Sequence, residues 1–118
     1  MSEALEKWMS GYRRAWESND PDEIGALFTD DALYYNEPFS PPSRGRDAIV
    51  VNWLDKADSP GETTFTWSTL VETDTVAIVQ GETRYPDTIF SNLWVIRLAA
   101  DGRAAEFTEW WMDQAHPA

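Results

Sequence analysis

The run from Ala32 to Asn36 reads Ala-Leu-Tyr-Tyr-Asn, and a loop studded with Pro38, Pro41 and Pro42 follows it. Successive side chains of an extended chain alternate faces, so Tyr34 and Asn36 point one way and Leu33 and Tyr35 the other. Two neutral hydrogen-bonding groups on one face, beside a loop too rich in Pro for plain sheet, suggest one wall of a small pocket. The same alternation near the end of the chain groups Phe107, Glu109 and Trp111, which sets a carboxylate between large apolar neighbours. It also groups Asn92, Trp94, Ile96 and Leu98; Asn92 and Trp94 are expected to line the pocket or to pack under a helix. Other chemistries have little to work with. There is no Cys and hence no thiol nucleophile, and the one His, His116, falls in the terminal tail. Without a Cys or His cluster, no transition-metal site is expected. No Gly-rich phosphate loop or Ser-His-Asp arrangement is present.

At 118 residues the chain is expected to form one domain, residues 1–118, and its 42% apolar content points to a globular fold. Seven Trp in so short a chain suggest pocket walls and subunit interfaces as well as core. Twenty-one acidic against nine basic residues give a net charge of −12, which argues against nucleic acid and anionic membrane as partners. No targeting stretch or apolar run of spanning length is seen, so a soluble cytoplasmic protein is expected.

These residues must be positioned by elements legible from periodicity. Leu5, Trp8, Met9, Tyr12, Ala15 and Trp16 fall at helical spacing between Glu3 and Ser18. Asp20-Pro21 caps a second, short helix read as Asp22 to Phe28. Arg46-Asp47 opens a third, through about Lys56, with Ile49, Val50, Trp53 and Leu54 on its apolar face. Beyond the Ser59-Pro60-Gly61 break come four strand-like runs, Phe65–Thr73, Val76–Tyr85, Ile89–Ala99 and Ala104–Asp113. Helices followed by an antiparallel meander indicate an α+β domain. Both sheet faces carry large apolar groups, so one should pack on helices and the other on a second subunit. Trp53 and Trp110 are read as core or dimer interface.

With those elements placed, the chain resembles the nuclear transport factor 2-like superfamily, specifically its SnoaL-like branch. The matching marks are the Trp/Tyr-rich first helix closed by Ser-Asn-Asp-Pro-Asp, Leu-Phe-Thr-Asp-Asp-Ala before the first strand, Arg-Gly-Arg-Asp-Ala-Ile, and the ending Ala-Asp-Gly-Arg-Ala-Ala-Glu-Phe-Thr-Glu-Trp-Trp-Met-Asp. The resemblance implies a cone-shaped α+β barrel, a curved antiparallel sheet wrapped round a long N-terminal helix. It also implies a homodimer with an apolar pocket for a small hydrophobic molecule, and no single activity. Against ketosteroid isomerases, Tyr12 matches the oxyanion-hole Tyr, but Asn36 falls at the base and Trp94 at the second acid. Asn cannot accept that proton, so steroid isomerisation by that mechanism is disfavoured. Limonene-epoxide hydrolases are closer in one stretch, where their Tyr-x-Asn-x-Pro is matched by Tyr34, Asn36 and Pro38. There Tyr and Asn hold a water for an acidic base, and an Arg-x-Asp pair supplies the proton. Gln80-Gly81-Glu82 occupies roughly that central position and Glu109 lies near the last-strand acid, although Gln80 lacks the charge of Arg.

If Glu82 and Glu109 both enter an apolar cavity, desolvation and mutual repulsion raise at least one pKa, leaving one acid and one base near neutral pH. Tyr34 and Asn36 would orient the water or substrate oxygen, with Tyr12, Gln80, Asn92, Trp94, Phe107 and Trp111 around the ligand. The alternative is that both Glu side chains sit on a solvated sheet face, or pair with Arg84 and Arg97. Tyr12, on the apolar stripe of the first helix, reads more readily as a core tyrosine with a satisfied hydroxyl than as a catalytic one. Two functions therefore stand: a cofactor-free hydrolase or isomerase on a small apolar oxygenated substrate, and a dimeric binding protein without chemistry.

Overall fold

A computed structural model describes residues 2–55 and 63–115. The expected helix end at Lys56, the break at Ser59-Pro60-Gly61 and the tail from His116 lie outside the described residues. The first helix, α1 (Glu3–Ser18), is capped by Ser2, whose hydroxyl accepts from the Leu5 N–H at 3.1 Å. Its stripe of Leu5, Trp8, Met9, Tyr12 and Ala15 is fully covered. Asn19 ends it in the left-handed conformation, at φ 53°. Asp20 then caps α2 (Pro21–Gly25), with Pro21 in the first turn, where a missing N–H costs nothing.

The second helix is shorter than its apolar residues suggest, because Phe28 belongs instead to β1 (Phe28–Tyr35). The Leu27 carbonyl accepts from the Trp8 indole at 2.8 Å and from the Ala104 N–H at 2.7 Å. Those long-range bonds take the backbone out of the helix and start a strand.

After β1 come β2 (Ser43–Arg44), α3 (Arg46–Asp55), β3 (Thr64–Glu72), β4 (Ala77–Arg84), β5 (Ile89–Leu98) and β6 (Ala104–Asp113). The strands form one unclosed six-stranded sheet in the order β2-β1-β6-β5-β4-β3. From β3 to β6 it is the expected antiparallel meander. β1, however, lies parallel to β6, so the sheet is mixed, and β2 is a short edge strand that the periodicity does not disclose. Irregular pairing between Phe28 and Leu33 leaves Asp30 and Asp31 exposed. Asp30 meets Arg46 at 3.1 Å and Arg103 at 3.6 Å, tying this bend to the start of α3 and to the β5–β6 turn. Gly45, at φ 87°, gives its N–H to the Ala32 carbonyl at 2.8 Å and lets the chain turn from β2 into α3.

One face of the sheet closes over α1. Val79, Trp94, Ile96 and Phe107 are buried there, and Tyr12 packs its ring 6.0 Å from Trp94 and 5.4 Å from Phe107. Aromatic rings at about 5–6 Å in tilted and edge-to-face pairs form the centre of this core. No described helix is long and apolar enough to cross a membrane.

Candidate functional site

Where α1 ends, β1 runs out and α3 crosses above them, the core does not close. A cavity of about 370 Å³ remains, at the small end of the range for ligand pockets. Strand alternation carries Tyr34 and Asn36 to one wall, with Glu37 beyond them. Ile49, Asn52 and Trp53 come from one face of α3, at the i, i+3, i+4 spacing of neighbours on a helix. Trp16 and the capping residue Asn19 close the side formed by α1, and β6 supplies Glu109 and Trp111. Small polar contacts fix the wall. Asn52 Nδ2 donates to Ser43 Oγ at 2.6 Å and Trp53 Nε1 to Asn19 Oδ1 at 3.3 Å.

Glu109 is the ionisable centre of this space. Its neighbour across the β5–β6 ladder is Trp94, whose Nε1–H donates to Glu109 Oε2 at 3.3 Å. The cavity leaves part of the Glu109 surface open, yet protein surrounds the carboxyl closely enough to remove most of its hydration. That desolvation pushes its pKa up to about 7, against a smaller opposing effect of the Trp94 hydrogen bond on the charged form. The Tyr34 phenol is pushed well above the usual tyrosine range, by burial first and then by the charge of Glu109. Tyr12 behaves likewise, by burial first and then through Tyr34 and Glu109. Both phenols are therefore neutral hydrogen-bonding groups at any physiological pH. The buried Trp16 indole N–H has no hydrogen-bond partner among the described residues.

The cavity thus brings together Tyr34, Asn36, Glu109 and Trp111 from the residues singled out in the sequence. Trp94 and Phe107 lie fully buried behind it, Trp94 holding Glu109 and Phe107 packing 4.9 Å from the Tyr34 ring. Tyr12 is a core residue beneath that layer. Asn92 is buried too, but its Oδ1 accepts from Thr83 Oγ1 at 2.6 Å, which makes it a structural contact between β4 and β5. Gln80 and Glu82 are not part of the site. Val79 pairs with Trp94 and shares the buried face with Ala77 and Thr83, so Gln80 and Glu82 project from the opposite face. Glu82 meets Arg84 at 3.4 Å and accepts from Gln114 Nε2 at 2.9 Å there. The expected pairing of Glu82 with Glu109 in one cavity is therefore corrected.

The reason is Gly81. A Cβ at this position would stand 2.7 Å from the Trp94 ring and would collide with the Thr66 carbonyl oxygen. Only glycine lets the indole lie across β4, and the residues on either side must then face out.

Reading the sequence for apolar periodicity overlooked Trp16, Asn19, Ser43 and Asn52 as pocket residues. Asn52 carried a usable signal, since it falls between Ile49 and Trp53 on the inward face of α3. Trp53, expected in the core or at an interface, is shared between the core and the pocket. Among the described residues no group of three or more His, Cys, Asp and Glu side chains could hold a metal ion.

Comparison with known proteins adds the following. A family model described as a SnoaL-like domain matches residues 9–113. No curated protein matches the chain. Among solved structures, an NTF-2 like protein of unknown function from Burkholderia xenovorans LB400 superposes with a TM-score of 0.77 at 14% identity, over 98% of this chain and 88% of that one. A steroid delta-isomerase from Pseudomonas aeruginosa gives 0.69 at 13% identity, over 98% and 84%. The epoxide hydrolase/cyclase-like enzyme SalBIII, of pyran ring formation in the polyether salinomycin, gives 0.71 at 18%, over 91% and 89%. At such identities the likeness is one of fold.

Proposed function

The chain belongs to the SnoaL-like domain family, and on that premise we propose that its pocket performs proton transfer on a small, largely apolar, oxygenated molecule, with Glu109 as the acid/base group. The observation that carries this reading is the Glu109 carboxyl on the pocket floor, desolvated until its pKa stands near 7. A general base works best when its pKa lies near the ambient pH, because it is then both available and strong enough.

With Glu82 on the other face of the sheet, the site holds one strongly perturbed carboxylate instead of an acid and a base. One carboxylate suffices for an isomerisation. It removes a proton from carbon beside a carbonyl, holds it, and returns it to another atom of the same enolate. Tyr34 and Asn36, as neutral donors, would bind the oxygen on which charge develops. Hydrolytic opening of an epoxide is less well served, since it needs a second acid for the leaving oxygen. The isomerase and hydrolase/cyclase names carried by structural neighbours are in keeping with proton-transfer chemistry.

Glu109→Gln keeps the shape and loses the proton shuttle. Turnover should fall roughly 10²–10⁴-fold, the usual worth of such a group, while ligand binding persists. Unchanged turnover would remove Glu109 from the mechanism. A second reading, sequestration of an apolar ligand without chemistry, is favoured by the Trp-rich wall and the lack of a second carboxylate on the floor. Tryptophan fluorescence against terpenoid, steroid and aromatic polyketide ligands, followed by product analysis, separates the two; binding without product favours sequestration. We further propose that the protein works in the cytoplasm as a homodimer, joined through the outer face of the sheet, where Trp110 and Met112 stand 44% and 47% exposed.

A further inference from the structure

The walls of the pocket say more about its ligand than that it is apolar. Trp16 and Trp53 stand with ring centroids 5.9 Å apart at 69°, and Tyr34 and Trp53 at 6.5 Å and 77°. In each edge-to-face pair the edge of one ring covers part of the other's face, and the surface left uncovered lines the pocket. Trp111, 58% exposed, adds a fourth ring at the opening. Glu109 stands on the floor and Glu37 on the rim, where Ser40 Oγ donates to one Glu37 oxygen at 2.9 Å. No Lys, Arg or His is found among the described lining residues. The chain around them carries a net charge of −12.

Aromatic faces attract cations through the ring quadrupole, and the attraction grows as water is excluded. A carboxylate at the rim adds to it, and the negative field of the whole chain concentrates cations near the opening and repels anions. Resting on the proton-transfer reading, we propose that the pocket takes an oxygenated substrate bearing a basic nitrogen, an amino ketone whose ammonium group lies against Trp53 and Trp111 beside Glu37. The oxygenated end then points to Tyr34 and Asn36. Carboxylates, phosphates and other anions are excluded by the same groups.

The test uses three matched probes of one shape: (2-hydroxy-2-phenylethyl)trimethylammonium, its uncharged isostere 3,3-dimethyl-1-phenylbutan-1-ol, and 3-hydroxy-3-phenylpropanoate. Each is titrated into the full chain and followed by tryptophan fluorescence. The ammonium should bind about tenfold or more tighter than the alcohol, and the carboxylate more weakly than either. Glu37→Gln, a change at an exposed rim position, should lower that preference severalfold without abolishing it and leave the affinity for the alcohol unchanged. Equal binding of ammonium and alcohol, or a carboxylate that binds as well as the alcohol, overturns the charge selectivity, and a preference wholly untouched by Glu37→Gln overturns the placement of the ammonium beside Glu37. In those cases the alcohol still binds and the proton-transfer reading stands on its own test. If none of the three binds, the charge selectivity is overturned as well, and the proton-transfer reading is still decided by turnover of Glu109→Gln.

Discussion

The Glu109 carboxyl holds its proton more tightly in the folded chain than an ordinary glutamate does, and this links its chemistry to stability. Below about pH 4.5 the group is protonated whether the chain is folded or not. Between that value and about 7 the unfolded chain has lost the proton while the folded chain keeps it, so stability falls as pH rises. Above 7 the folded state carries the whole cost of a desolvated carboxylate, an upper figure of roughly 3 kcal/mol. Glutamine cannot ionise. Glu109→Gln should therefore match the parent near pH 4.5 and exceed it in stability at pH 8, by a difference that urea unfolding at the two pH values would read. Other carboxylates, such as Glu72 and Asp101 with their lowered pKa values, are common to both chains and cancel. A gap that stays constant with pH would mean that the Glu109 carboxylate is well solvated. A residue that weakens the fold in order to act is common at functional sites.

At the scale of elements, the site depends on which face of each strand turns inward. For β5 and β6 alternation settled this, because Trp94, Ile96 and Phe107 mark one face unambiguously. For β4 it did not: Ala77 and Val79 compete with Ile78 in apolar character, and a central strand can bury both faces. The deciding group is a missing one, the Cβ of Gly81, and its absence has meaning only once Trp94 is known to lie opposite. The parallel pairing of β1 with β6 was equally hidden, since it joins residues far apart in sequence and no local pattern encodes it. Phe28 shows the consequence, reading as the last inward residue of a helix until the Leu27 carbonyl is given to Ala104. The four helix and turn marks, by contrast, were local and legible. Gly81→Ala should push the Trp94 ring off β4, with an overpacking cost of about 1–3 kcal/mol in denaturant unfolding. Because Trp94 orients Glu109, the pH profile of turnover should move as well. Normal stability together with an unmoved profile would mean that the strand and the indole yield without strain, contrary to the geometry.

For the whole molecule, one face of the sheet surrounds a half-open aromatic space and the other presents apolar groups to the outside. Trp110 and Met112 are exposed in the single chain, and the homodimer proposed above would cover them. Trp110→Glu should then give a monomer by sedimentation equilibrium, whereas a parent chain already monomeric at tens of micromolar would contradict the dimer. The side chains of Trp110 and Met112 alternate with those of Glu109 and Trp111, so the pocket opens on the other face of the sheet. What the pocket depends on is a carboxyl held out of water between Trp94 and the cavity. A carbon-detected NMR titration of the side-chain carboxyls, with Glu109→Gln identifying the resonance, measures this directly. A midpoint near pH 7 for Glu109 is the predicted result, and a midpoint in the ordinary glutamate range near 4.5 would contradict the account.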